Sequence, residues 1–175
     1  MTDAEFQAAF DQHKGAVYRF AWRMCGSAAA AEDITQDAFV GLLRHPDRFD
    51  PARGTLRTFL FVMARNLALK HLRKEHRLEP LDDEAVVAEP LDLDRGTIGD
   101  MVGRAVGALL PLQREVVILV EYEGLTLAEV ARAVDADVGT VKSRLHRARE
   151  NLRRMLAPLE RRQPSTMRTV WTTKS

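Results

Sequence analysis

The sequence predicts an all-α protein, two small helical domains joined by a flexible acidic linker. Three observations carry that prediction. Apolar residues recur at helical spacing through most of the chain. Thr2 with Glu5, and Thr126 with Glu129, have the spacing of capping boxes, in which a threonine and a glutamate satisfy each other's backbone N–H groups at a helix start. No segment alternates apolar and polar residues convincingly enough for a strand. With 46% hydrophobic and 29% charged residues, the chain falls among globular proteins and not disordered ones.

In chain order, the first helix follows Thr2 and repeats Phe6, Ala9, Phe10, Val17, Phe20, Ala21 and Met24 on its apolar side. Gly26 ends it and Ser27 caps the next. That second helix, about residues 28–44, puts Ile34, Ala38 and Leu42 on one face and Asp33, Gln36 and Asp37 on another. Taken alone, the acidic face fits ordinary solvation better than a partner. Residues 45–54 read as a loop by their prolines and glycine.

A long helix begins at Leu56. Its first half, FLFVMA at residues 59–64, is apolar all round and is expected to be buried between neighbours. Its second half carries Asn66, Lys70, Arg73 and Arg77 as a basic stripe, which suits either nucleic-acid contact or a plain exposed helix end. Residues 78–100 lack a sustained period, contain Pro80 and Pro90, and hold Asp82, Asp83, Glu84, Glu89, Asp92, Asp94 and Asp100. They read as a solvated, extended linker. Helical pattern resumes with Met101, Val102, Ala105, Val106, Leu109 and Leu110, and a further helix is expected over residues 112–122. Residues 158–175 form a tail without a periodic core face, and nothing in the pattern gives Trp171 a role.

Residues 126–149 are the most informative. After the Thr126 capping box, Leu127, Val130, Ala131 and Val134 give a short helix one apolar face. Asp135 falls where that helix must turn, and aspartate tolerates the left-handed conformation such an exit requires. Asp137 then caps a second helix, and two short helices so joined form a helix-turn-helix. On the second helix Val141, Leu145, Ala148, Leu152 and Met155 share the packing stripe. Thr140, Lys142, Ser143, Arg144, His146, Arg147 and Arg149 lie outside it. Arginine and lysine suit guanine edges and phosphates, so this is the composition of a recognition helix in a major groove. Helix-dipole stabilisation does not explain Lys142 and Arg144, because cations favour the opposite helix end.

The net charge of +1 conceals an acidic centre and a basic segment from Lys142 onward. The single cysteine, Cys25, cannot form an internal disulfide or anchor a multi-thiolate zinc site, and it reads as a small buried residue. His71 and His76 are poorly spaced for a shared helix face and lack accompanying ligands, so no metal site is expected. No phosphate-cradling glycine loop or nucleophile motif is present, so neither a cofactor nor a catalytic residue is assigned and the chain is not read as an enzyme. No apolar run approaches a membrane span and no signal peptide is visible, so membrane insertion is not expected and the location is read as cytoplasmic.

LPLQREVV at residues 110–117, EGLTLAEVA at 123–131 and GTVKSRLHRAR at 139–149 closely resemble region 4 of the extracytoplasmic-function (ECF) sigma factors. AEDITQDAF at residues 31–39, TFLFVMARN at 58–66 and HLRK at 71–74 resemble region 2 of the same family, in the family's order. The resemblance covers about residues 4–77 and 102–157. It implies a subunit that binds core RNA polymerase and directs initiation at particular promoters, held by an anti-sigma partner. Residues 1–77 would form region 2, docking on polymerase through Asp33, Gln36 and Asp37. The −10 promoter element would be read and opened by Arg53, Arg57, Arg65, Asn66, Lys70, Arg73, Lys74 and Arg77. Residues 101–157 would form region 4, with Thr140, Lys142, Ser143, Arg144, His146, Arg147 and Arg149 reading the −35 element.

Three positions depart from the family pattern. Phe59 stands where tryptophan is usual, Lys70 replaces a commonly acidic residue, and Asp135 replaces the usual turn glycine. The rival reading is a stand-alone helix-turn-helix regulator that binds an operator without polymerase, with residues 1–77 as an effector or dimerisation domain. A pure interaction scaffold would leave the basic composition of residues 142–149 unexplained.

Overall fold

The computed structural model describes residues 2–75 and 96–162, and every regular element among them is helical. Helix α1 (Asp3–Cys25), α2 (Ala28–Arg44) and α3 (Leu56–Glu75) form an N-terminal bundle, with a short 3₁₀ turn (Pro46–Arg48) after α2. The C-terminal half holds α4 (Ile98–Ala108), α5 (Pro111–Val117), a π turn (Ile118–Tyr122), α6 (Leu127–Val134) and α7 (Val138–Arg162).

Local chemistry sets the element ends. Thr2 Oγ1 accepts from the Glu5 N–H at 3.2 Å while Glu5 Oε2 accepts from the Thr2 N–H at 2.6 Å. Gly26, with φ 68°, stops α1 in the left-handed conformation, and Ser27 Oγ accepts from the Ala30 N–H to start α2. The N-terminal core is then closed by rings: Phe20 lies 5.6 Å from Phe61 and Phe10 meets Phe39 edge-on at 4.9 Å, centroid to centroid.

Two boundaries differ from the sequence reading. Asp100, counted above with the linker's acidic run, belongs to a third capping box, its Oδ2 accepting from the Thr97 N–H at 2.9 Å. Helix α4 therefore starts at Ile98, since a Thr-x-x-Asp string signals a helix start and not a solvated run. Helix α7 continues through Pro158 to Arg162. Leu156 and Leu159 are buried on it, and their packing offsets the backbone hydrogen bond that Pro158 cannot make. The linker reading of residues 78–95 and the tail with Trp171 lie outside the described residues.

The halves also touch. Helix α3 packs on α6, and α1 packs on α4 and α5, so one continuous apolar core runs through both halves. A solvated, extended linker would leave the halves free of one another; among the described residues they instead close on one another.

The capping carboxylates make the helix-turn-helix acid-sensitive. Backbone N–H and then side-chain hydrogen bonds from Thr126 and Thr140 hold Glu129 and Asp137 below the ordinary carboxylate range. A lowered folded-state value means that the stabilisation is present above the ordinary range and is lost as pH falls through the lowered value. Amide exchange followed by NMR is therefore expected to show the Thr126 and Thr140 N–H groups, which donate to these two carboxylates, losing protection early on acidification. Protection unchanged in strong acid would contradict it.

Candidate nucleic-acid interface and docking face

The helix-turn-helix is built as its residues require. Thr126 and Glu129 cap α6 reciprocally, with Glu129 Oε2 accepting from the Thr126 N–H at 2.8 Å. Asp135 takes the left-handed turn conformation at φ 52°, ψ 53°. Asp137 Oδ1 accepts from the Thr140 N–H at 2.7 Å, starting α7. Val141, Leu145, Ala148, Leu152 and Met155 are all buried, so one stripe of α7 is committed to packing. A buried hydrogen bond from Asn151 Nδ2 to Gln113 Oε1, at 2.8 Å, fixes α7 on α5. It satisfies two polar groups that would otherwise be costly to bury.

That anchoring sorts the predicted −35 readers into two sets. Lys142, Ser143 and His146 stand exposed at the start of α7, facing solvent where a groove would lie. Thr140, Arg144, Arg147 and Arg149 are half-buried. The Thr140 hydroxyl donates to Asp137 Oδ2 at 3.1 Å, so this residue is already engaged as part of the cap. Arg149 Nη2 donates to Glu121 Oε1 at 2.6 Å. Arg144 Nη1 sits 3.8 Å from Glu115 Oε1, with only 14% of its side chain exposed.

The predicted −10 readers divide similarly. Arg53 is exposed on the loop ahead of α3, and that loop is pinned by Phe49 against Phe59, with ring centroids 5.6 Å apart. Phe59 thus does the packing work of an aromatic at this position. Asn66, Lys70 and Arg73 of the basic stripe are exposed along the second half of α3, as is Lys74, and Arg77 lies outside the described residues. Arg57 and Arg65 turn instead toward the C-terminal half. Arg57 Nη2 donates to Glu123 Oε2 at 3.0 Å and to the Glu123 carbonyl at 2.8 Å. Arg65 makes a two-pronged pair with Glu115, through Nε at 2.7 Å and Nη2 at 3.1 Å.

Glu115 and Glu123 were not singled out from the sequence. Glu115 has no exposed surface, and burial pushes its carboxyl above the ordinary range against the pull of Arg65 and Arg144. Glu123 is 8% exposed and also faces Arg23 at 3.9 Å. Arg114, beside Glu115, donates to the Met24 carbonyl across the halves and to the Leu109 carbonyl at 2.8 Å within its own. The one sequence signal was a Gln-Arg-Glu run inside an otherwise apolar helix, a pattern that asks where its polar groups find partners.

Asp33, Gln36 and Asp37 stand exposed together on α2, while Ile34, Ala38 and Leu42 face inward. Gln36 borders a groove of about 720 Å³ between α1 and α2, floored by Phe6, Phe10 and Phe39. Among the described residues no cluster of His, Cys, Asp or Glu could hold a metal ion, and no helix is long and apolar enough to cross a membrane.

Residues 9–78 match Sigma-70 region 2 and residues 99–152 match Sigma-70 region 4. The ECF RNA polymerase sigma factor SigW of Bacillus subtilis is 34% identical, over 85% of this chain and 87% of the relative. SigE of Mycolicibacterium smegmatis, another ECF RNA polymerase sigma factor, is 34% identical over 83% of this chain, which spans 59% of that longer relative. Among solved structures, the sigma factor RpoE bound to the anti-sigma factor NepR from Bartonella quintana aligns with a TM-score of 0.69 at 26% identity, covering 87% of this chain and 97% of that one. CnrH in complex with the cytosolic domain of CnrY aligns with a TM-score of 0.68 at 25% identity, covering 90% of each chain. With both regions present in order and SigW matched nearly end to end, the chain belongs to the ECF RNA polymerase sigma factors.

Proposed function

We propose that this chain binds core RNA polymerase and directs transcription initiation at a specific class of promoters, under the control of an anti-sigma factor. The observation that carries the reading is the separation of three chemically distinct surfaces on one small protein. Asp33, Gln36 and Asp37 offer carboxylates and an amide to a basic polymerase surface, and rim charges of this kind steer docking and set its partner. Arg53, Arg57, Arg65, Asn66, Lys70, Arg73 and Lys74, with Arg77, are assigned to the −10 element, where cations hold the strand backbone and extruded bases meet polar groups. Lys142, Ser143 and His146, supported by Thr140, Arg144, Arg147 and Arg149, are assigned to the −35 duplex.

Residues 1–77 and 101–157 are the two functional units of this reading. The chain acts through binding and not catalysis, and it works in the cytoplasm where promoters and polymerase are. Anti-sigma control is supported by the similar sigma factor RpoE, which was solved in complex with the anti-sigma factor NepR. The stand-alone regulator reading has no observation in its favour.

The test is fluorescence anisotropy of labelled promoter DNA titrated with this protein, with and without core polymerase. Tight DNA binding that requires both proteins is the expected result. Tight, specific duplex binding by the protein alone would overturn the reading.

A further inference from the structure

We infer that the free chain is self-latched: Glu115 and Glu123 of the C-terminal half occupy Arg65 and Arg57 of α3, withholding these two cations from DNA until the halves separate. The inference rests on the assignment of α3 to the −10 element, and goes beyond it by naming what controls access.

The geometry has three parts. First, the two glutamates hold their arginines as DNA phosphates would. Glu115 engages Arg65 through two nitrogens, the fork geometry that a phosphate also accepts, and Arg57 donates to both the carboxylate and the carbonyl of Glu123. Arg65 has only 14% of its side chain exposed in this arrangement, so no nucleic acid can share it. Closed contact and DNA contact are mutually exclusive at that residue.

Second, opening is not prohibitive, because Glu115 has a partner on each side. Arg65 belongs to α3 in the N-terminal half, whereas Arg144 belongs to α7 in its own half, 3.8 Å away. Separation of the halves leaves Glu115 beside Arg144, which avoids an orphaned buried carboxylate. Glu123 differs: Arg57 and Arg23, its ion-pair partners, both come from the N-terminal half. Its pairs break outright on opening, but the carboxylate then reaches water. One lock is compensated internally and the other by solvent, as a two-state contact requires.

Third, the latch leaves the docking face free. Asp33, Gln36 and Asp37 are exposed with the halves closed, and α2 packs chiefly on α1, α3 and the 3₁₀ turn. A closed chain can therefore present α2 first, and release Arg57 and Arg65 afterwards. The order is docking, opening, then DNA.

The experiment uses the full chain with spin labels at Ala29→Cys on α2 and Ala128→Cys on α6, in a Cys25→Ser background, and measures their separation by double electron–electron resonance. All three positions lie outside the assigned surfaces. A single narrow distance is expected for the latched chain, and a longer, broader distribution for Glu123→Gln and for Glu115→Gln with Glu123→Gln. Free-chain affinity for single-stranded DNA is expected to rise about tenfold in the double variant, equivalent to ~1.4 kcal/mol. Asp3→Asn with Asp11→Asn removes the same charge from exposed positions on α1 and is expected to leave both readouts near wild type.

Should Glu115→Gln fail to fold, Glu123→Gln alone decides the distance arm. A distribution equally broad in the unmutated and Glu123→Gln chains would overturn the latch. So would opening without a gain in DNA affinity beyond the charge control. The distances need neither polymerase nor promoter, so failure of the sigma reading would appear separately, as absent polymerase-dependent DNA binding.

Discussion

Replacing Glu115 by alanine is expected to destabilise the protein by about 3–5 kcal/mol, the largest loss of any single side chain outside the aromatic core. The carboxylate is fully buried and faces Arg65 at 2.7 Å and Arg144 at 3.8 Å, each with 14% of its side chain exposed. Burial by itself disfavours the ionised carboxyl, which is why its pKa lies above the ordinary range despite two adjacent cations. The ion cluster is thus no great source of stability as a whole. Removing the carboxylate is another matter. Arg65 would lose both of its bonds to Glu115 in a poorly solvated site facing a cavity, and stripping a buried charge of its partner is the costly step. Glu121→Ala provides the contrast: its pair with Arg149 is about one-third exposed on both sides, and its loss is expected to cost roughly 0.5 kcal/mol. Urea unfolding at neutral pH measures both. A Glu115→Ala loss no larger than that of Glu121→Ala would mean the cluster is readily hydrated.

Asp33→Ala is expected to weaken core polymerase binding at least ~30-fold, about 2 kcal/mol, while leaving the fold intact. Its carboxylate is exposed and makes no contact that α2 needs, since Ile34, Ala38 and Leu42 supply the packing. The effect is therefore expected in affinity alone, and unfolding midpoints should match wild type within about 0.5 kcal/mol, as for surface substitutions generally. Direct titration of labelled protein with core polymerase separates the two. Unchanged affinity would move the docking face elsewhere on the N-terminal bundle.

Much of this architecture could be read from the chain because its signals are local. The Thr126–Glu129 box, the left-handed Asp135 and the Asp137 cap lie within about one helical turn of the groups they satisfy. The same holds for Gly26 and Ser27, which fix the end of α1 and the start of α2. The start of α4 is equally local, but Asp100 follows a run of acidic residues and reads as linker charge until its bond to the Thr97 N–H makes it a cap. The extension of α7 past Pro158 depends on burial of Leu156 and Leu159, which no rule about proline contains. The closure of the two halves was beyond local reasoning altogether. Arg65 and Glu115 are 50 residues apart and Arg57 and Glu123 are 66, and each looks like an ordinary surface charge in its own segment.

The same contrast changes how the −35 assignment should be tested. Arg144 is among the residues assigned to the −35 element, yet its guanidinium lies against Glu115, so Arg144→Ala mixes folding with DNA contact. Lys142 is exposed at the start of α7 and carries no such ambiguity. Run-off transcription with purified core polymerase and a promoter library, comparing wild type, Asp33→Ala and Lys142→Ala, tests the division of labour most directly. The account predicts transcripts that depend on this protein, severe loss with Asp33→Ala on every promoter, and about tenfold loss with Lys142→Ala that deepens with salt. Transcription indifferent to both substitutions would contradict it.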